Sequence, residues 1–128
     1  MSEPIVFISK HKIKEGKMQE LKKYNMEVMP EIAAIKPGTV FQYAYTNKEE
    51  TIISFVHVFP DAETMAEHMT GAEDRSNRAR EYIEPVSMEI WGMPNQAVTS
   101  MFTQIEASGV SVSYMPQNLG GYIRLSPV

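Results

Sequence analysis

The stretch Thr51-Ile52-Ile53-Ser54-Phe55-Val56-His57-Val58-Phe59-Pro60-Asp61-Ala62-Glu63-Thr64-Met65-Ala66-Glu67-His68 decides how this chain is read. Residues 51–59 are dense in β-branched and aromatic side chains, the composition of a strand with a buried face. Pro60 and Asp61 end it. Asp61 then suits an N-cap, because its carboxylate can accept the free amides of a first helical turn and favours the positive end of the helix dipole. A helix over residues 62–69 follows and carries His68.

Upstream, residues 39–46 read as a strand with Phe41, Tyr43 and Tyr45 on one face and Val40, Gln42 and Ala44 on the other. Asn47-Lys48-Glu49-Glu50 is a polar connection of hairpin length, so this strand pairs antiparallel with residues 51–59. Residues 5–13 form a further strand, with Ile5, Phe7, Ser9, His11 and Ile13 sharing a face. Between them, Met18, Leu21, Asn25, Val28, Ile32 and Ile35 follow the three-four spacing of an amphipathic helix over residues 17–35. Pro30 removes one hydrogen bond of that helix, which predicts a break or kink at Met29.

Downstream, Gly71 predicts a bend, and Thr70-Gly71-Ala72-Glu73 fits a capping box. It opens a second helix over residues 72–84, ended by Pro85. Residues 87–91 are a fourth strand, closed by Gly92-Met93-Pro94. The order over residues 4–94 is β-α-β-β-α-β, a ferredoxin-like α+β unit with both helices on one face of an antiparallel sheet. The aromatic residues of the strands supply a second apolar surface, and leaving that in water would exceed the patch a monomer tolerates. Face-to-face pairing of two copies hides it. Residues 95–128 are an extension of the 1–94 domain, packed on that domain or on a partner subunit. It holds a helix over 96–107, a half-buried strand through Val110, Val112 and Tyr114, and a short strand over 122–125.

Composition excludes several function classes. The chain has 12 basic against 16 acidic residues, a net charge of −4, too acidic for a protein that tracks nucleic-acid phosphates. It has no cysteine, which removes disulfides, thiol catalysis and thiolate metal sites. No signal peptide or membrane-length apolar run is visible, so the expected location is cytoplasmic, with no membrane partner. The three histidines lack a metal-binding spacing, and no Gly-rich phosphate loop is present, so no metal or cofactor is expected.

The strand over 52–59, the run Pro60-Asp61-Ala62-Glu63, the run Ala66-Glu67-His68-Met69 and the closing Met88-Glu89-Ile90-Trp91 resemble the antibiotic-biosynthesis-monooxygenase-like group of the dimeric α+β barrel superfamily. The resemblance covers residues 4–94. It implies a homodimer with a pocket in each subunit between sheet and helices. It also implies oxygenation of a small aromatic or quinol-like compound without flavin or metal. That chemistry needs a base, hydrogen-bond donors for an oxyanion and a pocket that excludes water.

His68 and His57 are the candidate bases, since a histidine is suited to proton transfer near neutral pH. His68 could equally anchor its helix to a backbone carbonyl. His57 shares a face with Ile53, Phe55 and Phe59, and periodicity leaves open whether that face meets the helices. Asn25, on the apolar stripe of the first helix, is a candidate substrate contact or a cap for a strand carbonyl. Tyr43, Tyr45 and Trp91 are candidates for an aromatic wall with polar tips, or for packing between two copies. The alternative function is a non-catalytic module of the same fold that binds a small molecule or regulates.

Overall fold

A computed structural model describes residues 3–124. It contains β1 (Ile5–Ile13), α1 (Met18–Ile35), β2 (Phe41–Thr46), β3 (Ile52–Phe59), α2 (Ala62–Met69), α3 (Ala72–Ala79), β4 (Ile83–Trp91), α4 (Gln96–Ala107) and β5 (Ser111–Met115). The strands form one sheet in the order β2-β3-β1-β4-β5. Pairing is antiparallel except between β4 and β5, which run parallel, so the sheet is mixed. The fold is α+β and ferredoxin-like through β4, and α4 is the crossover that a parallel β5 requires.

β1 is central and alternates strictly. Ile5, Phe7, Ser9 and Ile13 are buried, while Val6 and Ile8 are half-covered and Lys10 and Lys12 exposed. The buried face packs in two clusters. Ile5, Phe7, Phe59, Met65, Met69, Ile90, Val98 and Phe102 join β1, β3 and β4 to α2 and α4. Ile13, Leu21, Ile53 and Ile83 join the other end of the sheet to α1. The helices thus lie on one sheet face, and α4 packs its Val98 and Phe102 into the core of its own chain.

Most local signals around the junction hold at atomic detail. The capping box at residues 70–73 does not form, since Thr70 Oγ1 donates to the Ala66 carbonyl and α3 has no side-chain cap bond. Asp61 Oδ1 accepts the Thr64 amide at 2.7 Å, and Gly71, at φ 83°, makes the bend between α2 and α3. Asn95 caps α4 in the same manner, accepting the Val98 amide at 3.0 Å.

Three further expectations are corrected. α1 runs unbroken through Pro30. Pro30 and Met26 are both exposed, so the carbonyl that Pro30 deprives of a partner is open to water. Leu21 on one side and Val28 and Ile32 on the other hold the helix to the sheet. The second helix after the junction ends at Ala79 rather than residue 84, and Pro85 lies inside β4. Ile83 is drawn into the sheet because it fills the core against Ile13 and Leu21. Pro85, which has no amide to give, sits opposite His11 where the β1–β4 register shifts, a place where a sheet tolerates proline. Residues 122–124 form no strand, and Tyr122 and Ile123 are exposed rather than packed; Leu125 lies outside the described residues.

Candidate functional site

Register assigns every strand residue to a face. His57 stands opposite Phe7 on β1 and Gln42 on β2, all turned toward the helices. A cavity of about 580 Å3 lies between that face and the helices α1, α3 and α4. Its lining includes Phe7, Ser9 and His11 from β1, Asn25 from α1, Phe55 and His57 from β3, His68 from α2 and Arg75 from α3. All three histidines of the chain therefore meet one cavity, although residues 11, 57 and 68 sit on three different elements.

His57 is held between aromatic rings. It stacks on Phe7 with centroids 4.8 Å apart and lies 6.1 Å from Phe59. Its Nδ1 is 3.0 Å from the Phe7 carbonyl oxygen. A carbonyl can only accept, so Nδ1 carries the proton and Nε2 is left with its lone pair. Burial lowers the pKa of His57 to about 4, against the smaller opposing effect of the Phe7 bond, and the charge of Arg75 adds to the lowering. The ring is neutral at neutral pH.

His68 meets His57 edge-on, with centroids 5.3 Å apart. Its Nδ1 lies 2.7 Å from Thr39 Oγ1, which orients the ring. Burial lowers its pKa to about 3, with further contributions from the charges of His57, Arg75 and Lys36. Arg75 and Lys36 are seated by the C-terminal end of α2. Arg75 Nη2 donates to the His68 carbonyl at 2.6 Å, and Lys36 Nζ donates to the carbonyls of Glu67 and Thr70. The end of a helix attracts cations for this reason. Arg75 has no carboxylate within ion-pair distance among the described residues, and it is partly buried.

The buried neutral imidazoles make stability depend on pH. His11, His57 and His68 all titrate below the ordinary 6.5 when folded, so between about pH 6.5 and pH 4 the unfolded chain binds more protons than the folded one. Stability is then fully present above pH 6.5 and drains away as the pH falls toward 4. Thermal melts taken from pH 7.5 downward are expected to show a steadily falling Tm across that window. A flat profile would mean that the imidazoles are not buried and neutral.

The sequence candidates divide between two faces. His57, His68 and Asn25 meet at the cavity. Tyr43 and Tyr45 pair with Val56 and Ser54, and Trp91 pairs with Val6, on the opposite face of the sheet. There the two tyrosines are 59% and 58% exposed, away from the cavity. Arg75, Ser9 and His11 are cavity residues that the sequence reading did not select. Ser9 and His11 carried a usable signal, their shared face with Phe7. Arg75 carried none, since a charged helix reads as solvated surface. Among the described residues no group of three or more His, Asp or Glu side chains is placed to hold a metal ion, and no helix is long and apolar enough to cross a membrane.

No family model matches the sequence, and no curated protein matches it significantly. Solved structures do. MupZ from Pseudomonas fluorescens is similar over 98% of both chains, at 17% identity and a TM-score of 0.70, so the likeness includes the segment from α4 onward. SnoaB from Streptomyces nogalater, a cofactor-independent oxygenase, is 13% identical, with 74% of this chain and 97% of that one covered at a TM-score of 0.55. A candidate antibiotic biosynthesis monooxygenase from Caulobacter crescentus is 16% identical, with 70% of this chain and 88% of that one covered at 0.60. At these identities the likeness establishes the fold. The chain has the α+β fold of the antibiotic-biosynthesis-monooxygenase-like proteins.

Proposed function

We propose that this protein is a cofactor-independent monooxygenase acting on a small aromatic or quinol-like compound in the cavity behind His57. The observation that carries this reading is the locked tautomer of His57. The bond from Nδ1–H to Phe7 leaves its Nε2 lone pair free on a buried ring that lines the cavity. A substrate hydroxyl can donate to that lone pair, and His68 and Asn25 border the same space. The fold shared with a cofactor-independent oxygenase supports the choice of oxygenation over other proton-transfer chemistry.

The reaction balances without a cofactor. A phenol with an open ring position loses its hydroxyl proton to His57, and the electron-rich phenolate passes electrons to O2. One oxygen atom becomes bonded to the ring carbon and the other leaves as water, giving a quinone. The substrate supplies all the electrons. A phenol near pKa 10 giving its proton to an imidazole of pKa about 4 is uphill by roughly 8 kcal/mol before any compensation. That is well below the barriers enzymes cross at ordinary turnover rates. The positive charge of Arg75 disfavours an imidazolium but favours the phenolate, so it acts on the product side of the transfer.

The outward sheet face completes the reading. Phe41, Tyr43, Tyr45, Val56, Val58 and Trp91 form an apolar surface that a second copy of the chain would cover. Sedimentation velocity is expected to give a dimer, and a monomer would remove this part of the proposal. The activity is tested with an oxygen electrode, using hydroxyanthrones and naphthols and protein dialysed against a chelator. One O2 is expected per quinone formed. Saturable binding with no oxygen uptake would replace the oxygenase with a non-catalytic binding module.

A further inference from the structure

The cavity has a second polar end that the proposed reaction does not use. His11 stands on the same face of β1 as Phe7 but four residues along, so strand geometry puts it about 13 Å from the position opposite His57. Its ring packs edge-on against Phe55, with centroids 5.5 Å apart, and lines the cavity. Its Nδ1 is buried and has no hydrogen-bond partner among the described residues.

The tautomer follows from that orphan. Burial keeps the ring neutral, so one nitrogen carries a proton and the other a lone pair. A buried N–H with no acceptor is the rarer arrangement in folded proteins, and a buried lone pair the more tolerated one. The proton therefore sits on Nε2, the nitrogen that the cavity can reach. His57 has the reverse arrangement, with Nδ1–H committed to Phe7 and Nε2 free to accept. The two ends of the cavity ask opposite things of a ligand. Between them the cavity is lined by Ser9 and Phe55, which pair across β1 and β3.

We infer that His11 is a ligand-contacting residue, and that the cavity selects an elongated two-ring aromatic with a hydroxyl at one end and a carbonyl oxygen at the other. The hydroxyl meets His57 and the carbonyl oxygen accepts from His11. This inference rests on the cavity being the substrate site, and it does not depend on what reaction follows.

The test measures binding alone, by fluorescence titration under nitrogen so that no oxygen can react. The probes are a hydroxyacetonaphthone whose two groups lie at opposite ends of the bicycle, and the corresponding naphthol without the acetyl group. Wild-type protein is expected to bind the ketone about tenfold more tightly, the value of one well-made hydrogen bond. His11→Phe should bind both compounds alike, at the wild-type affinity for the naphthol. His11→Gln, whose amide keeps a donor at similar reach, should retain most of the preference. His11→Phe should also melt no lower than wild type, because it removes an unpartnered buried nitrogen. The inference is overturned if His11→Phe weakens both compounds equally, if its Tm drops by several degrees, or if wild-type protein shows no preference for the ketone or binds neither compound. A protein that shows the preference and never consumes oxygen overturns the oxygenase reading alone.

Discussion

Replacing Phe102 with alanine is expected to lower the stability of the whole chain by about 3–5 kcal/mol, the usual cost of removing a buried aromatic ring. Phe102 has no exposed surface, and its ring meets Phe7 edge-on at 5.2 Å. It belongs to the same buried cluster as Ile5, Phe59 and Ile90, so the hole would open beneath three strands at once. A domain of this size has only about 5–15 kcal/mol in hand. The loss is therefore a large fraction of the total, and urea denaturation should show a much lower midpoint with a single cooperative transition. Truncation after Pro94 removes Val98 and Phe102 together and should leave a chain that does not fold alone. A truncated protein with an unchanged melting curve would show that α4 is an appendage rather than part of the core.

His57→Phe is expected to cost two to four orders of magnitude in the rate of oxygen uptake, the range for loss of a positioned general base. The replacement keeps a flat ring between Phe7 and Phe59, so the stack survives. It removes one hydrogen bond to the Phe7 carbonyl, at about 1 kcal/mol. Against that, it removes the cost of burying an imidazole. Stability should change much less than activity, and that split identifies a chemical role. His68→Asn provides the comparison, because an amide can still bond Thr39 while the second imidazole is gone. A His57→Phe variant that retains oxygen uptake within tenfold of wild type would exclude His57 as the base. A severe loss confined to His68→Asn would transfer the role to His68.

Much of the fold was legible because its signals are local. Asp61 caps the helix that follows it, Gly71 takes the positive φ of a bend, and β1 alternates residue by residue. The errors came where distant packing overrode a local preference. Pro30 signals a break or kink locally, but α1 is unbroken there, because Leu21, Val28 and Ile32 hold it to the sheet on the side away from the exposed proline. Pro85 was read as a helix stop, but Ile83 and Ile13 pull that segment into the sheet and leave the proline at a register shift. Tyr43, Tyr45 and Trp91 were read with the site candidates because they are aromatic with polar tips. Pleat parity separates them from His57, and parity alone does not say which face the helices cover.

The sequence by itself determined the order of strands and helices, the ends of most of them and the set of residues sharing each strand face. Those properties depend on neighbours a few positions away, where the periods of two and 3.6 residues operate. Only the tertiary structure decided that His57 faces the helices, that His11, His57 and His68 share one cavity, and that α4 fills the core beside Phe7. It also decided the tautomer of His57, through a hydrogen bond to a carbonyl 50 residues away. Covered faces, hydrogen-bond partners and proton positions are set by contacts between segments distant in the chain, and no local pattern encodes them.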